Sequence, residues 1–153
     1  MITPKYILLH HTVTLPTATF EQINQIGIDR GFGGVSYNYV IDITGKIYEG
    51  RSLSAVPAHC IADGMNYKSV GIALIGDFTK EEPTSSQLSS LNDLVIQLMA
   101  KYSIPKENVL GHCEVKGAST LCPGSLVNWA VNFRKESLRE KLIRLIMKLW
   151  KHN

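Results

Sequence analysis

Three residues far apart in the chain, His10, His112 and Cys122, have the side-chain types from which a hydrolytic metal site can be built if they converge. Two imidazoles and one thiolate can hold a zinc ion and leave its fourth position to water, whereas structural zinc sites close all four positions with protein ligands. The last two lie in Gly111-His112-Cys113-Glu114 and Leu121-Cys122-Pro123-Gly124, and Gly117 with Pro123-Gly124 allows this loop to fold back so that both side chains face one point. Spacing alone does not select the trio. It is neither a short zinc-ribbon pattern nor His-Glu-x-x-His, and His59, Cys60 and Cys113 compete for membership. His11 stands apart, because neighbours on a strand point to opposite faces and His10 and His11 do not easily bind one ion.

Such a site needs rigid elements to carry it. Residues 6–10 form a short apolar run that predicts a buried strand delivering His10 at its end. Thr19 and Gln22 have the spacing of a capping box, and Phe20, Ile23 and Ile26 continue a helix until Gly31 and Gly33-Gly34 break it. Residues 36–41 and 46–48 read as strands flanking Asp42-Ile43-Thr44-Gly45, a hairpin, and residues 70–75 as a second strongly apolar strand. Ser85 or Ser86 opens a long helix with Leu88, Leu91, Val95, Leu98 and Met99 on one face, ending near Ser103 before Pro105. Residues 109–110 form a short strand that delivers His112. The order β, α, β, β, β, α, β, α, without repeats or low-complexity linkers, implies an α/β (mixed α+β) single domain, a central mixed β-sheet flanked by helices, with an extra C-terminal amphipathic helix.

At 153 residues, 44% hydrophobic and 19% charged, the chain suits one compact domain with a real core. Its net charge of +3 is uneven: residues 134–153 carry seven basic side chains against Glu136 and Glu140, which is +5, so residues 1–133 sum to −2. Attraction to anionic surfaces would therefore come from the tail. The start has no export-signal pattern and no apolar stretch approaches the roughly 20 residues that span a bilayer, so synthesis in the cytosol is expected. Three cysteines fit a reduced compartment better than a disulfide framework. Nucleic-acid binding has little support, since the basic residues cluster on one helix without interleaved stacking aromatics in the body.

The blocks Leu8-Leu9-His10-His11-Thr12, Ser36-Tyr37-Asn38-Tyr39-Val40-Ile41, Gly45-Lys46-Ile47-Tyr48-Glu49-Gly50-Arg51, Ala58-His59, Val70-Gly71-Ile72-Ala73-Leu74-Ile75-Gly76-Asp77-Phe78, Gly111-His112 and Cys122-Pro123-Gly124 occur in that order over roughly residues 5–130. They resemble the zinc amidases related to T7 lysozyme and the peptidoglycan recognition proteins. The resemblance implies an N-acetylmuramoyl-L-alanine amidase that cleaves the amide between N-acetylmuramic acid and the first L-alanine of the peptidoglycan stem peptide, with one zinc held by His10, His112 and Cys122. By the same resemblance Tyr37 stands beside the metal, His59 lines the substrate groove and Asn66 shapes its wall, although Asn66 equally reads as a loop-capping residue. Thr120 occupies the position that phage enzymes fill with lysine and animal recognition proteins with threonine, which leaves one fewer cation for a developing oxyanion. Tyr37 and Thr120 are the catalytic candidates, with Tyr37 the stronger.

The chemistry follows from these residue types. Zinc lowers the pKa of its bound water from 15.7 to about 7 and polarises a carbonyl, and a tyrosine hydroxyl, still protonated far below its usual pKa of about 10, can donate to the oxyanion. Glu114 either orients an imidazole from behind or is a solvated loop carboxylate. A zinc-bound cysteine is deprotonated, so binding is expected to weaken as pH falls and to be lost on oxidation.

The resemblance places the amidase domain at residues 1–131. Beyond it, residues 132–153 have Phe133, Leu138, Leu142, Leu145, Ile146, Leu149 and Trp150 at helical spacing among basic residues. That basic amphipathic helix suits either docking onto the domain or contact with anionic membrane or lipopolysaccharide. Short phage lysins often end this way, which points to an endolysin, monomeric, made in the host cytoplasm and acting on the cell wall after release. Two other readings stay open: a non-catalytic peptidoglycan-binding module, against which Cys122 counts, and a cytosolic muropeptide-recycling amidase, whose last ligand is usually aspartate.

Overall fold

The chain was described from a computed structural model covering residues 3–136 together with Glu140 and Met147. Apolar strands in its centre are buried on both faces, as their near-continuous Val, Ile and Leu content requires. β1 (Tyr6–His11) pairs in parallel with β4 (Ser69–Leu74) on one side and β5 (Val109–Gly111) on the other. β2 (Tyr39–Ile41) runs parallel to β4 and forms a hairpin with β3 (Ile47–Glu49), giving the mixed order β3-β2-β4-β1-β5. The expected fold class is therefore the observed one.

Alternation assigns the two faces of the sheet. Ile7 and Leu9 of β1 and Val70, Ile72 and Leu74 of β4 join one core cluster with Leu91, Leu94, Val95 and Leu98 of α2 (Ser85–Tyr102) and Leu126, Ala130 and Phe133 of α3 (Leu126–Lys135). Burying each such Leu or Ile side chain contributes about 1.5–3 kcal/mol relative to leaving it in water. The opposite face carries Leu8 and His10 from β1, with Gly71 and Ala73 of β4 in register beside them. It is covered by α1 (Phe20–Asp29) through Ile23 and by the irregular stretch around Met65. Small residues at 71 and 73 leave room for side chains above the sheet, and that room is where the histidines gather.

The helix signals hold in detail. Thr19 and Gln22 form a reciprocal capping box at the start of α1. Thr84, one residue before the expected serines, caps α2 in the same way with Gln87. Gln87 does more than cap: fully buried, its side-chain Nε2 donates to the carbonyls of Ile75 at 2.9 Å and Ile41 at 3.4 Å, tying α2 to the ends of β4 and β2. Gln87→Leu is expected to cost about 1–3 kcal/mol by removing the donor those carbonyls share, read as a lowered midpoint of urea unfolding.

Two expectations are corrected. The strand expected over residues 36–41 is confined to Tyr39–Ile41, because the Asn38 side chain replaces a ladder partner: its Oδ1 accepts from Gly71 N at 2.9 Å while its Nδ2 donates to the Arg51 carbonyl at 2.7 Å. The helix expected from residue 132 instead begins at Leu126, as α3, and ends at Lys135, burying Ala130 and Phe133 against the sheet. The amphipathic pattern of residues 138–150 lies outside the described residues, apart from the isolated positions 140 and 147. Among the described residues, no helix is long and apolar enough to cross a membrane.

Candidate metal centre

Each of the three candidate ligands is presented by a different segment gathered at the C-terminal ends of β1 and β5. His10 lies near the end of β1, 1% exposed, on the face above Ala73. β5 ends at Gly111 and the chain turns at once into the single 3-10 turn His112–Glu114. That turn is locked from behind: Glu114 accepts from Gly111 N at 2.8 Å, and Arg134 of α3 grips both Glu114 oxygens at 2.5 and 3.0 Å while donating to the Val109 carbonyl at 2.6 Å. Glu114 thus fixes the backbone that presents His112. The Cys122 loop returns alongside, with Cys113 N donating to the Cys122 carbonyl at 2.8 Å and Cys122 N donating to Thr120 Oγ1 at 3.1 Å.

The three donor atoms come together within 4.8 Å of one another. Cys122 Sγ is 3.6 Å from His10 Nδ1, and the His10 and His112 rings have centroids 4.7 Å apart. Ligands about 2.0–2.3 Å from a tetrahedral zinc stand roughly 3.3–3.8 Å from each other, so the sulfur and nitrogen already match and the remaining contraction is a side-chain adjustment. Electrostatics suit the same purpose. Burial, reinforced by the surrounding histidines, holds His10 well below the usual imidazole range, and burial lowers His112 too, so both rings are neutral lone-pair donors at neutral pH. Burial pushes the Cys122 thiol up to about 12, against a stabilising hydrogen bond from the His11 backbone. A half-buried thiol among neutral imidazoles gains a compensating charge when a cation arrives. The donor set fits a three-ligand metal site with an open position.

The neighbours complete the picture. Tyr37 lies with its ring centroid 5.2 Å from that of His10, and burial, with Cys122 adding to it, pushes its phenol up to about 12. It remains a proton donor throughout the neutral range. His59 is 8% exposed and lies edge-on to His10, its Nδ1 3.0 Å from His10 Nε2. Burial, then the nearby His112, lowers its pKa to about 3, with the Ser69 backbone pulling the other way. A groove of about 400 Å³ opens beside the trio, bordered by Ala58, His59, Ile61, His112, Ser119 and Thr120. Asn66 is buried, and its Oδ1 accepts from His59 N at 3.0 Å and Cys60 N at 2.8 Å, which is the loop-capping arrangement. His11 points to the other face, as strand alternation requires, where its Nδ1 accepts from Phe78 N at 3.0 Å. Cys60 packs with Leu8, Met65 and Val115.

Sequence reasoning missed Asn38, Gln87 and Arg134. A buried amide has no periodic signal, and the Arg134 to Glu114 clamp joins residues 20 positions apart.

Comparison with known proteins agrees with this geometry. A Drosophila melanogaster peptidoglycan-recognition protein is 36% identical over 132 residues, covering 81% of this chain and 70% of that protein. The endolysin N-acetylmuramoyl-L-alanine amidase LysCS from Clostridium intestinale superposes with a TM-score of 0.73 at 35% identity, covering 86% of this chain and 85% of its own. Peptidoglycan recognition protein LE, solved in complex with tracheal cytotoxin, a monomeric diaminopimelic acid-type peptidoglycan, gives a TM-score of 0.73 at 28% identity, covering 86% and 81%. Residues 2–125 match the N-acetylmuramoyl-L-alanine amidase family, and with the sheet, the trio and the groove in place the chain belongs to that family of proteins that hydrolyse or bind peptidoglycan.

Proposed function

We propose that this chain is a zinc-dependent N-acetylmuramoyl-L-alanine amidase that cleaves the amide between N-acetylmuramic acid and L-alanine of the stem peptide, acting in bacterial cell-wall lysis. The observation that carries the reading is the convergence of His10, His112 and Cys122 within 4.8 Å beside an open groove. A recognition module needs the groove alone; a trio of two neutral imidazoles and a thiol adds what hydrolysis requires.

Zinc, when bound there, supplies a Lewis acid for the scissile carbonyl and lowers the pKa of water toward about 7. The chain's own residues do the rest. The groove takes the stem peptide against His59 and Thr120 and brings the amide to the metal face. Tyr37, protonated because burial holds its phenol near 12, donates to the carbonyl oxygen as negative charge develops. Thr120 is the weaker contributor: its Oγ1 is engaged by Cys122 N–H, which positions the ligand loop, and its hydroxyl proton is left to donate toward the groove. Residues 134–153, at +5, supply the attraction to an anionic envelope, and truncation after Phe133 that leaves envelope binding unchanged would remove that part of the reading.

The test is metal removal and return. Stripping the protein with a chelator is expected to abolish clearing of purified sacculi, and one equivalent of zinc per chain is expected to restore it. Undiminished clearing by the stripped protein, or none by the zinc-loaded protein, contradicts the proposal.

A further inference from the structure

The two nitrogens of the His10 ring face different partners, and this fixes which of them can serve a metal. Nδ1 is turned to Cys122 Sγ at 3.6 Å, while Nε2 is 3.0 Å from His59 Nδ1. Two neutral imidazoles at that distance share one proton, so one nitrogen must be N–H and the other a lone pair. If the proton sat on His59 Nδ1, His10 would carry its own proton on Nδ1, pointed at the thiol, and the nitrogen nearest the sulfur could not ligate. The opposite assignment frees Nδ1 of His10 and leaves the His59 proton on its Nε2.

His59 is held as a fixed acceptor should be. Its ring lies on Gly71 so closely that a Cβ there would meet ring carbons at 2.6 and 2.7 Å, which leaves only glycine at that position. Its backbone N–H is tied to Asn66 Oδ1 at 3.0 Å. Its Nε2, buried beside the Ser69 backbone, makes no well-formed hydrogen bond among the described residues, so the ring's one well-formed polar contact there is the one to His10.

We infer that His59 is a positioning residue: it accepts a hydrogen bond from His10 Nε2–H, and so fixes the His10 tautomer and ring orientation that present Nδ1 to the metal. The inference rests on the reading of the trio as a metal site. It also gives Asn66 and Gly71 a common purpose, since both hold His59 in place.

Outer partners of metal-binding histidines typically change metal affinity about 10- to 100-fold when removed. His59→Phe keeps a ring on Gly71 but cannot accept a hydrogen bond; it is expected to lower zinc affinity by about that factor, measured by competition with a chromophoric chelator. His59→Asn, whose amide oxygen comes near the position of Nδ1, is expected to stay within about threefold of the native affinity. Zinc binding by His59→Phe as tight as native, or equal weakening in both variants, would overturn the inference. A second measurement needs no variant: two-bond nitrogen–proton NMR correlations on the native metal-free chain are expected to show His10 protonated at Nε2, and a proton on Nδ1 would overturn it as well. Native protein that takes up no zinc would overturn this inference together with the metal reading, whereas zinc binding insensitive to His59→Phe overturns this inference alone.

Discussion

Cys122→Ser is expected to leave a folded protein that neither retains zinc nor opens peptidoglycan. The substitution exchanges one atom at a half-buried position and keeps the Cys122 backbone contacts to Cys113 and Thr120. What it removes is the only anionic ligand of the trio. A serine hydroxyl does not ionise in this environment, and two neutral imidazoles alone do not neutralise a divalent cation in a partly buried site. Activity on sacculi is therefore expected to fall by more than about 10³-fold, the upper range for losing a single charge-stabilising donor, because the whole electrophile goes with the ligand. The melting temperature of the metal-free variant is expected to match that of the metal-free native chain within about 3 °C, the shift that roughly 1 kcal/mol produces in a domain of this size. Zinc content by mass spectrometry together with the rate of clearing checks both parts.

Tyr37→Phe separates chemistry from metal binding. The ring and its packing beside His10 are retained, and the hydroxyl alone is lost. Zinc content is expected to stay at the native level while kcat falls about 10²- to 10³-fold, or about 2.7–4 kcal/mol of barrier. KM is expected to change little, since the hydrogen bond strengthens only as charge develops on the oxygen. A variant that loses zinc, or one that raises KM at unchanged kcat, would instead make Tyr37 a structural or ground-state binding residue.

These two effects depend on features of very different legibility in the sequence. The strands β1 and β4 lie within one residue of their expected ends, since continuous apolar runs buried on both faces leave little choice. α2 was readable from its cap and its Leu91, Val95, Leu98 spacing, and only the capping residue, Thr84, lay one position earlier than expected. β2 was overestimated because Asn38 substitutes its side chain for the ladder. The 3-10 segment Ala62–Tyr67 escaped notice because it depends on left-handed backbone at Asp63 and Gly64 rather than on any hydrophobic period.

The same division runs through the site. Residue types and family blocks named His10, His112 and Cys122, but their meeting depends on β5 lying beside β1, a pairing across about a hundred residues that no local pattern encodes. His59 was legible as a residue near the groove. Its contact with His10 was not, because it requires Gly71 to be small and Asn66 to hold the loop, and neither demand has a spacing signature.

The central claim is the bond that is broken. Purified sacculi digested with zinc-loaded protein, with chelated protein and with Cys122→Ser, followed by mass spectrometry of the new chain ends, address it directly. Free L-alanine amino termini, with the glycan strands intact, are predicted from the zinc-loaded native protein alone. New reducing sugar ends, or free alanine termini from the chelated protein, would contradict the account.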